Sequence, residues 1–449
     1  MSEKYDIFWG CMIKNRFPFI ENAIRKVLTE LKVDFREQNA FSCCPEPNGI
    51  KNYNHYLYNL TASRNLALTE KNKRNIITPC NGCFETLKST CSEISIDPEL
   101  KKKINNDLSK IDLSLKCNID VFHFIEFLSK KIGNGTVKDM VKYPLLGLKV
   151  AVHYGCHFLR PSNKIQTDNP INPHIFDELV DALGARSIAY DDKMLCCGGS
   201  FDRAEKKELG FQIMKHKLER VKAAGADAVV VCCPECFQKF DLNQRELKKI
   251  DCEFEIPVFY YPELMAIALG IDPDNLKLNH VTNVSSIYEK IEEKRRSNLE
   301  IQKNFNLEFL KECYKCSACS DDCPPARFSE FNPKSFVKRI LDGEIINCIE
   351  DPDIWGCLDC YLCYELCPSK LGLVDIFTIL RNVAAERGIV TPGFKTEYNT
   401  FLKSGIVGKF SISQRKKLKL PLEQPQVADL VQLLSEIDEE ERIPKEKVK

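Results

Sequence analysis

Short apolar runs alternate with helix-like periodicities over residues 1–283. The β-branched runs NII at 75–77 and VVV at 229–231 are bounded by polar or proline signals and predict buried strands. Helical periodicity follows each run, in CFETLKSTCSEI and CFQKFDLNQRELKKI. The stretches ELVDALGA and KHKLERVKAAGADAVVV predict helices whose glycine ends lead into the next strand. Strands that alternate with helices predict an α/β fold with parallel β-layers.

The same part of the chain contains an internal duplication, which predicts two repeats, residues 1–146 and 147–283. YDIFWGC at 5–11 matches VAVHYGC at 150–156, SCCPEPNG at 42–49 matches LCCGGSFD at 195–202, and NIITPCNGCF at 75–84 matches VVVCCPECF at 229–237. Thirty-five residues separate Cys44 from Cys80, and the same number separates Cys197 from Cys233. This interval pairs Cys233 with Cys80 and leaves Cys232 as a bystander at the end of its strand.

Each repeat therefore offers five matched thiols at predicted strand ends, where open α/β sheets bind ligands. A thiol at a helix N-terminus favours the thiolate and hence metal ligation. Five thiols exceed what four-coordinate zinc or a simple cubane needs. We expect an iron–sulfur centre of unusual geometry in each repeat, facing its twin across a pseudo-twofold axis; the alternative is a set of buried structural cysteines. The matched thiols are Cys11, Cys43, Cys44, Cys80 and Cys83 in the first repeat, and Cys156, Cys196, Cys197, Cys233 and Cys236 in the second.

The C-terminal part carries two Cys-x2-Cys-x2-Cys-x3-Cys-Pro runs, CYKCSACSDDCP at 313–324 and CLDCYLCYELCP at 357–368. This is the bacterial ferredoxin spacing, in which the fourth thiolate binds the other cluster when two runs coexist. Zinc sites are the alternative, but they use Cys pairs separated by a longer spacer. We predict two cubane 4Fe–4S clusters in a mainly helical domain over residues 306–385. One would be held by Cys313, Cys316, Cys319 and Cys367, and the other by Cys357, Cys360, Cys363 and Cys323.

Composition narrows the class of protein. The 23 cysteines among 449 residues, clustered in motifs, favour metal or redox chemistry over a disulfide scaffold. The net charge of zero argues against a nucleic-acid partner. No run approaches the ~18 apolar residues of a membrane span, and no secretory signal is visible, so we expect a soluble, cytoplasmic protein. Residues 284–305 predict a charged, exposed helical linker, and residues 386–449 a helical extension with a charged tail.

Several other residues are weaker candidates. His153 and His157 flank Cys156 and are placed to protonate or orient a departing thiolate; the alternative is a packed imidazole. The basic residues near the second set of thiols are candidates for binding an anionic substrate group, although solvated surface charge is the favoured interpretation. These are Arg160, Lys164, Lys193 and Arg203. The remaining cysteines are predicted to be structural, namely Cys91, Cys117, Cys252 and Cys348.

The paired pattern Cys-x(31–39)-Cys-Cys-x(35)-Cys-x2-Cys resembles the cysteine-rich CCG domain signature. The two repeats resemble the B subunit of heterodisulfide reductase from methanogenic archaea and relatives, and the ferredoxin part resembles its C subunit. The chain is thus similar to a B–C fusion over nearly its whole length. All eighteen patterned cysteines are present, and the one departure is Pro45 where the second repeat has Gly198.

The resemblance implies a noncubane 4Fe–4S cluster on the five thiols of each repeat. It implies that the coenzyme M–coenzyme B disulfide binds between the two clusters, each of which gives one electron and captures one sulfur. The cubanes would deliver electrons from the flavin- and iron–sulfur-containing A-type subunit of that family, itself served by hydrogenase or formate dehydrogenase. No dinucleotide fingerprint follows a strand, so we expect no flavin on this chain.

A competing function is pure electron transfer. CCG domains also occur in iron–sulfur subunits of 2-hydroxyacid, glycerol-3-phosphate and thiol:fumarate oxidoreductases, where the chain relays electrons from a flavoprotein. Many of those proteins place the ferredoxin part first, whereas here it comes last, as in a B-then-C fusion. The domain order and the complete ligand sets in both repeats favour the disulfide reductase.

Overall fold

The computed structural model describes residues 3–247, 255–316, 320, 322–368, 370, 372–408, 411–422 and 427–442. It divides into two compact units, Met1–Leu299 and Glu300–Lys449. The first unit holds both cysteine repeats, and the second holds both ferredoxin runs.

The first unit contains two four-stranded parallel sheets of identical topology, which confirms the predicted duplicated α/β fold. The first sheet has the order β2-β1-β3-β4 and the second has the order β6-β5-β7-β8. The strands are β1 Tyr5–Ile7, β2 Phe35–Glu37, β3 Asn75–Thr78, β4 Val121–His123, β5 Lys149–His153, β6 Arg186–Ser187, β7 Ala228–Val231 and β8 Val258–Tyr260.

The central strand pairs set the position of the cysteines. Ile7 of β1 is opposite Ile77 of β3, and His153 of β5 is opposite Val231 of β7. Because the strands are parallel, both central strands of each sheet end at the same edge. The strand order also reverses between them, which is where open α/β sheets form binding crevices. The segments leaving these strands therefore bring the cysteines that follow them to one edge of each sheet.

Helices surround both sheets. The predicted helices after the NII and VVV runs are observed, although a π-helix, Gln238–Leu242, interrupts the second. The helices are α1 Gly10–Arg16, α2 Pro18–Glu30, α3 Ile50–Tyr53, α4 His55–Lys71, α5 Asn81–Ile96, α6 Pro98–Ser109, α7 Phe124–Phe127, α8 Asn134–Met140, α9 Ser162–Ile165, α10 Ile175–Ala182, α11 Lys207–Ala223, α12 Pro234–Phe237, α13 Gln244–Leu247, α14 Tyr261–Ala268, α15 Pro273–Leu276 and α16 Ser285–Gln302.

One hydrophobic core runs through both repeats. Helix α2 of the first repeat buries its apolar face, which includes Ile20, Ile24 and Val27, and packs against α14 of the second. Helix α14 is buried along its whole length, as its sequence YPELMAIA predicts. Burial of each large aliphatic side chain contributes about 1.5–3 kcal/mol. The two repeats are thus parts of a single packed unit.

A buried ion cluster fastens the end of the second repeat. His280 lies 3.3 Å from Glu263 and 3.8 Å from Asp241, and all three side chains are almost fully buried. Burial lowers the pKa of His280, but the two carboxylates outweigh that effect and raise it to about 10. The cluster joins the segment after α15 to the π-helix and to α14.

Helix α16 differs from the predicted exposed linker. It is helical as expected, but Ile287 and Ile291 are buried in the core of the first unit. Lys290 forms an ion pair with Asp227, and Arg295 lies over the ring of Tyr143. Its sparse apolar positions fall on one face, so they bury a stripe while the charged residues stay in solvent.

The second unit is mainly helical, as predicted. Its core is built around Phe331, Phe336 and Phe377, which pack as a cluster of rings. Across the described ranges of both units, every helix is too short or too polar to cross a membrane. The helices are α17 Leu307–Lys315, α18 Pro324–Phe328, α19 Pro333–Leu341, α20 Ile345–Ile349, α21 Leu362–Glu365, α22 Leu373–Glu386, α23 Pro392–Ser404, α24 Ile412–Lys417 and α25 Ala428–Arg442.

Candidate metal centres

The five matched thiols of the first repeat lie side by side in one row. The row begins at the two exposed thiols and continues to more buried ones, and each sulfur is near enough to shift the pKa of the next. The order of the chain is Cys11, Cys43, Cys44, Cys83 and Cys80.

The five matched thiols of the second repeat form a chain in the equivalent order. The thiol of Cys236 donates to the sulfur of Cys197 at 3.5 Å. The order is Cys156, Cys196, Cys197, Cys236 and Cys233.

The two chains of thiols meet at Cys80 and Cys233, which lie close enough to shift each other's pKa in opposite directions. Both residues precede the helix that follows the third strand of their repeat, α5 in the first and α12 in the second. The structure therefore brings all ten matched thiols into one continuous row, with the partners that the equal intervals indicated at its centre.

A glycine with left-handed backbone precedes the first thiol of each row. Gly10 has φ +70° and Gly155 has φ +74°, a conformation that favours glycine. A Cβ on Gly10 would lie 2.7 Å from the sulfur of Cys83, and one on Gly155 would lie 2.4 Å from Nδ2 of Asn81 and 3.5 Å from the sulfur of Cys236. The Gly-Cys pair in both motifs thus lets the backbone approach the thiols.

The loop that carries each vicinal pair is tied down by a buried polar side chain from the next long helix. In the first repeat Asn65 of α4 donates to the carbonyl of Cys43 (3.1 Å) and accepts from the amide of Ser42 (3.0 Å). In the second repeat Lys217 of α11 donates to the carbonyls of residues 192, 193 and 195 at 2.8–3.2 Å. Burial lowers the pKa of Lys217 to about 8, and the nearby thiols oppose that shift.

Reciprocal hydrogen bonds brace the two repeats at the centre of the row. His123 ends β4 and donates from Nε2 to the carbonyl of Cys232 (3.1 Å), while its Nδ1 accepts from the amide of Ile125. Tyr260 ends β8 and donates from its hydroxyl to the carbonyl of Pro79. Residues 79 and 232 each precede the central cysteine of their repeat, so equivalent positions reach across in both directions.

Cys232 lies beside the row. Its thiol is buried and contacts Oδ1 of Asn81 (3.5 Å) and the carbonyl of Tyr154 (3.4 Å). Asn81 in turn donates to the same carbonyl at 2.8 Å. Burial raises the pKa of the Cys232 thiol. The residue thus belongs to the contact between the repeats.

Neighbouring thiols shift one another's pKa values in opposite directions. Cys43 and Cys83 lower the pKa of Cys44 to about 5, and Cys236 and Cys80 lower that of Cys233. Neighbouring thiols and burial raise the pKa values of Cys80, Cys83 and Cys236. Thiols with raised pKa values would have to lose their protons before they could bind a metal as thiolates.

The donor set fits an iron–sulfur centre. All five groups in each set are sulfur and lie near one another, and two in the first set and three in the second are buried. Soft thiolate donors of this kind select iron–sulfur clusters, zinc or copper(I). Neighbouring buried thiolates are unstable without positive charge, which a bound metal supplies.

The histidines of the second repeat occupy different surroundings. His157 has about one third of its side chain exposed, and its Nδ1 lies 3.9 Å from the buried carboxylate of Glu85 in the first repeat. Lys51 lies 3.8 Å from the same carboxylate. His153 is buried at the end of β5, beside Cys197 and Cys236.

The four basic candidates all have protein partners. Arg160 donates to the carbonyl of residue 170 (3.0–3.1 Å), Lys164 pairs with Glu93, and Lys193 pairs with Asp177. Arg203 bridges the repeats, 3.1 Å from Glu46 and 3.2 Å from Glu235. Lys164, Lys193 and Arg203 are thus paired with carboxylates within the protein, and Arg160 is held by a backbone carbonyl.

In the second unit, four ferredoxin thiols line one apolar cavity together with Phe331 and Phe377. They are the set assigned to one cubane, Cys323, Cys357, Cys360 and Cys363. For the other set, Cys313 and Cys367 are half-buried and Cys316 is exposed, while Cys319 lies outside the described residues.

Arg381 holds the loop of the second ferredoxin run. It donates to the carbonyl of Ile354 (2.8 Å) and to that of Cys357, and its guanidinium pairs with Asp359 at 3.0 Å. Asp359 and Tyr361 both have left-handed backbone, φ +49° and φ +57°. The hydrogen bonds of Arg381 thus stabilise a loop with strained backbone. This loop carries Cys357, Cys360 and Cys363.

Three of the four cysteines predicted to be structural lie in the described part of the chain, and none of the three belongs to a row. Cys348 is fully buried in the core of the second unit. Cys91 and Cys117 of the first repeat lie close enough to shift each other's pKa. Cys252 falls outside the described residues.

Sequence reasoning missed His123, Tyr260, Asn65 and Lys217. A signal for the first two was present, because VFHFIE at 121–126 matches VFYYPE at 258–263 as a fourth element of the duplication. Asn65 and Lys217 stand 21 and 20 residues after the vicinal pairs, but their types differ, so spacing alone did not single them out.

Comparison with known proteins matches the two repeats and the ferredoxin part to different families. The Cysteine-rich domain family (CCG) matches residues 5–88 and 150–241, and the 4Fe-4S dicluster domain family matches residues 309–371. The B subunit of ferredoxin:CoB-CoM heterodisulfide reductase from Methanosarcina mazei is 38% identical over 293 residues, 64% of this chain and 97% of that protein.

Two further relatives cover different parts. The 8-methylmenaquinol:fumarate reductase membrane anchor subunit of Wolinella succinogenes is 31% identical over 283 residues, 62% of this chain and 97% of that protein. The second iron-sulfur C subunit of CoB--CoM heterodisulfide reductase from Methanocaldococcus jannaschii is 30% identical over 119 residues, 26% of this chain and 63% of that protein. The chain therefore belongs to the family of heterodisulfide reductase iron–sulfur subunits, oxidoreductases that act on disulfides, and it joins the parts that these relatives carry as separate B and C proteins.

Proposed function

We propose that this protein reduces the coenzyme M–coenzyme B heterodisulfide, or a similar thiol disulfide, to two thiols. The observation that carries the proposal is the row of ten thiols, in which two equivalent sets of five meet at Cys80 and Cys233. The reaction consumes two electrons and two protons for each S–S bond broken, so twin one-electron centres match its stoichiometry.

Each set of five thiols would hold one noncubane 4Fe–4S cluster. The ferredoxin thiols would hold two cubane 4Fe–4S clusters that relay electrons from a flavin- and iron–sulfur-containing partner of the A type, itself served by hydrogenase or formate dehydrogenase. When bound, the noncubane clusters supply single electrons and iron that can accept a substrate sulfur. Support comes from the relative in Methanosarcina mazei, named as a reductase of the CoB-CoM heterodisulfide.

Residues of this chain would determine where a substrate approaches the thiols. Cys11 and Cys43 are exposed at the outer end of the first set, next to a cavity of about 190 Å³. Cys80 and Cys233 stand at the inner end, where His123 and Tyr260 close the contact between the repeats. A substrate would approach from the outer thiols, and the braced inner thiols would keep the two sets at a fixed separation.

Protons for the two product thiols would come from the surface between the repeats. His157 is partly exposed, follows Cys156 directly and faces the buried Glu85 carboxylate. Lys51 and the hydroxyl of Tyr58 lie near the same carboxylate, at 3.8 and 3.4 Å. We assign His157 as a proton donor to a departing thiolate, with Glu85 holding the ring through Nδ1.

A second candidate function is electron relay within a 2-hydroxyacid, glycerol-3-phosphate or thiol:fumarate oxidoreductase complex. The relative in Wolinella succinogenes, named as part of a fumarate reductase, favours it. In that case the two sets of thiols would pass electrons onward without binding a disulfide.

One assay separates the two functions. Anaerobically purified full-length protein is mixed with reduced viologen, and the heterodisulfide, its two homodisulfides, fumarate or a quinone is added in turn. We expect the heterodisulfide to oxidise the viologen with release of two thiols, which a thiol reagent counts. Oxidation by fumarate or the quinone, with no response to the heterodisulfide, would establish the relay instead.

A further inference from the structure

His153 is a buried polar side chain that the protein leaves without a partner. It is 2% exposed, and neither ring nitrogen has a hydrogen-bond partner among the residues that the structure describes. An imidazole carries at least one N–H in either protonation state. Burying that group without an acceptor costs free energy, so its position indicates an acceptor that the protein atoms do not provide.

The surroundings of the ring point to where this acceptor lies. One ring nitrogen lies within 4.8 Å of the sulfurs of Cys197 and Cys236, which are themselves within that distance of each other. The ring of Phe240 packs nearly perpendicular to the imidazole at a centroid distance of 4.9 Å. The polar edge of the imidazole therefore shares its space with two proposed cluster ligands of the second repeat.

The equivalent position of the first repeat carries no N–H donor on its side chain. His153 stands three residues before Cys156, and Phe8 stands three residues before Cys11. Phe8 is equally buried, 1% exposed, but its ring offers no N–H. The duplication thus provides an internal comparison in which only one of two equivalent sites carries a donor.

Backbone hydrogen-bond donors also differ between the two repeats. In the second repeat the amides of Gly198 and Gly199 lie 3.3 and 3.4 Å from the sulfurs of Cys196 and Cys197 and donate to them. The residue equivalent to Gly198 is Pro45, which has no N–H. The departure from the repeat pattern therefore removes a donor from the first set of thiols.

We propose that His153 donates a hydrogen bond from its ring N–H to a sulfur of the iron–sulfur centre in the second repeat. This inference rests on the proposed occupancy of both repeats by such centres. Hydrogen bonds to cluster sulfurs stabilise the more negative, reduced state and raise the reduction potential. The second centre is thus the more easily reduced of the pair, and His153 is a positioning residue that helps to set this order.

The first test uses two variants of the full-length, anaerobically purified protein. His153→Phe copies the residue of the first repeat, whereas His153→Gln keeps an N–H donor of similar reach. Iron and sulfide content is measured first, and each centre's midpoint potential is then followed by electron paramagnetic resonance (EPR) during redox titration. We expect full iron content in both variants, a lower potential of one centre in His153→Phe, and partial or full recovery in His153→Gln.

Other outcomes would overturn the inference. An unchanged potential in His153→Phe would mean that the ring makes no such bond, and equal shifts in both variants would indicate a packing effect. Loss of iron from both variants would identify the ring as a metal ligand or a structural support. Iron content and disulfide turnover of the unmodified protein report on the proposed function separately, so failure of one idea is distinguishable from failure of the other.

A second measurement looks for the hydrogen bond in the unmodified protein and uses one variant to assign it. Protein labelled with ¹⁵N-histidine is reduced and examined by pulsed EPR for nitrogen coupled to the clusters. We expect one weakly coupled histidine nitrogen on one centre of the first unit, which disappears in His153→Gln. Absence of that coupling, or a strong coupling typical of direct iron–nitrogen ligation, would overturn the hydrogen-bond role.

Discussion

Replacing Gly10 by Ala tests how closely the backbone must approach the first set of thiols. The backbone at Gly10 has φ +70°, so an L side chain there costs about 1–2 kcal/mol of folding free energy. Its Cβ would also lie 2.7 Å from the sulfur of Cys83. Ordinary contact begins at 3.4 Å, so the sulfur must move by about 0.7 Å, the difference between the two. Sites of this kind tolerate displacements of about 0.5 Å.

The structure provides a control with the same backbone strain and no contact. Gly225 has φ +73°, and a Cβ there would meet nothing within 4 Å. We expect Gly10→Ala and Gly225→Ala to lower the unfolding temperature by similar amounts. Only Gly10→Ala should lose iron from the first repeat, because only it displaces a ligand.

The assay is iron and sulfide per chain, with EPR spectra of the proposed noncubane centres, on protein purified anaerobically in parallel. Retention of full iron with an unchanged spectrum in Gly10→Ala would refute the close-approach reasoning. Equal loss of iron in Gly225→Ala would show that general destabilisation, not displacement of Cys83, is responsible.

Three further predictions follow from the same contacts. Cys232→Ser should leave iron content unchanged, whereas Cys233→Ser should lose or distort a centre; the opposite result would refute the register of the repeats. Because the carboxylates raise the folded-state pKa of His280 from 6.5 to about 10, its stabilisation is fully present below about pH 6.5 and is lost as pH rises through 10. The unfolding temperature of the native protein should therefore fall over that range more than that of His280→Gln, and parallel curves would contradict this. Lys217→Met should loosen the vicinal-cysteine loop of the second repeat and alter that centre's spectrum, while the equally drastic Lys222→Met on the same helix should not; matching spectra in all three proteins would count against the role of Lys217.

The sequence predicted the α/β repeats and which thiols are equivalent between them, because repeated strands and equal intervals can be read directly from the chain. It did not predict that Cys80 and Cys233 would touch. That contact depends on how the two sheets pack, through α2 against α14 and through the cross-repeat bonds of His123 and Tyr260. Contacts between separately folded sheets produce no regular residue spacing that could be recognised in a single sequence.

Local departures from the duplication were also hidden. Helix α1 begins at Gly10 in the first repeat, whereas the segment after Gly155 forms turns and no long helix. Pro45 opposite Gly198 was visible in the sequence but its consequence was not, because only the structure shows the Gly198 amide on a cysteine sulfur. A single residue difference between the repeats can be interpreted once the hydrogen bond that it removes is known.

Bonds that are equivalent in the two repeats and donors that differ between them have separate roles in the proposed reaction. The reciprocal braces of His123 and Tyr260 act on equivalent atoms, so they fix the separation of the two sets of thiols without distinguishing them. The differences lie nearer the sulfurs, where His153 replaces Phe8 and a glycine amide replaces proline. Two equivalent sites suit the reduction of a disulfide, since both of its sulfurs must be held at once. Unequal donors suit electrons that arrive singly, because they give the first electron one preferred centre. The duplicated fold thus fixes the positions of the two sets of thiols. A few residue differences between the repeats determine which centre receives the first electron.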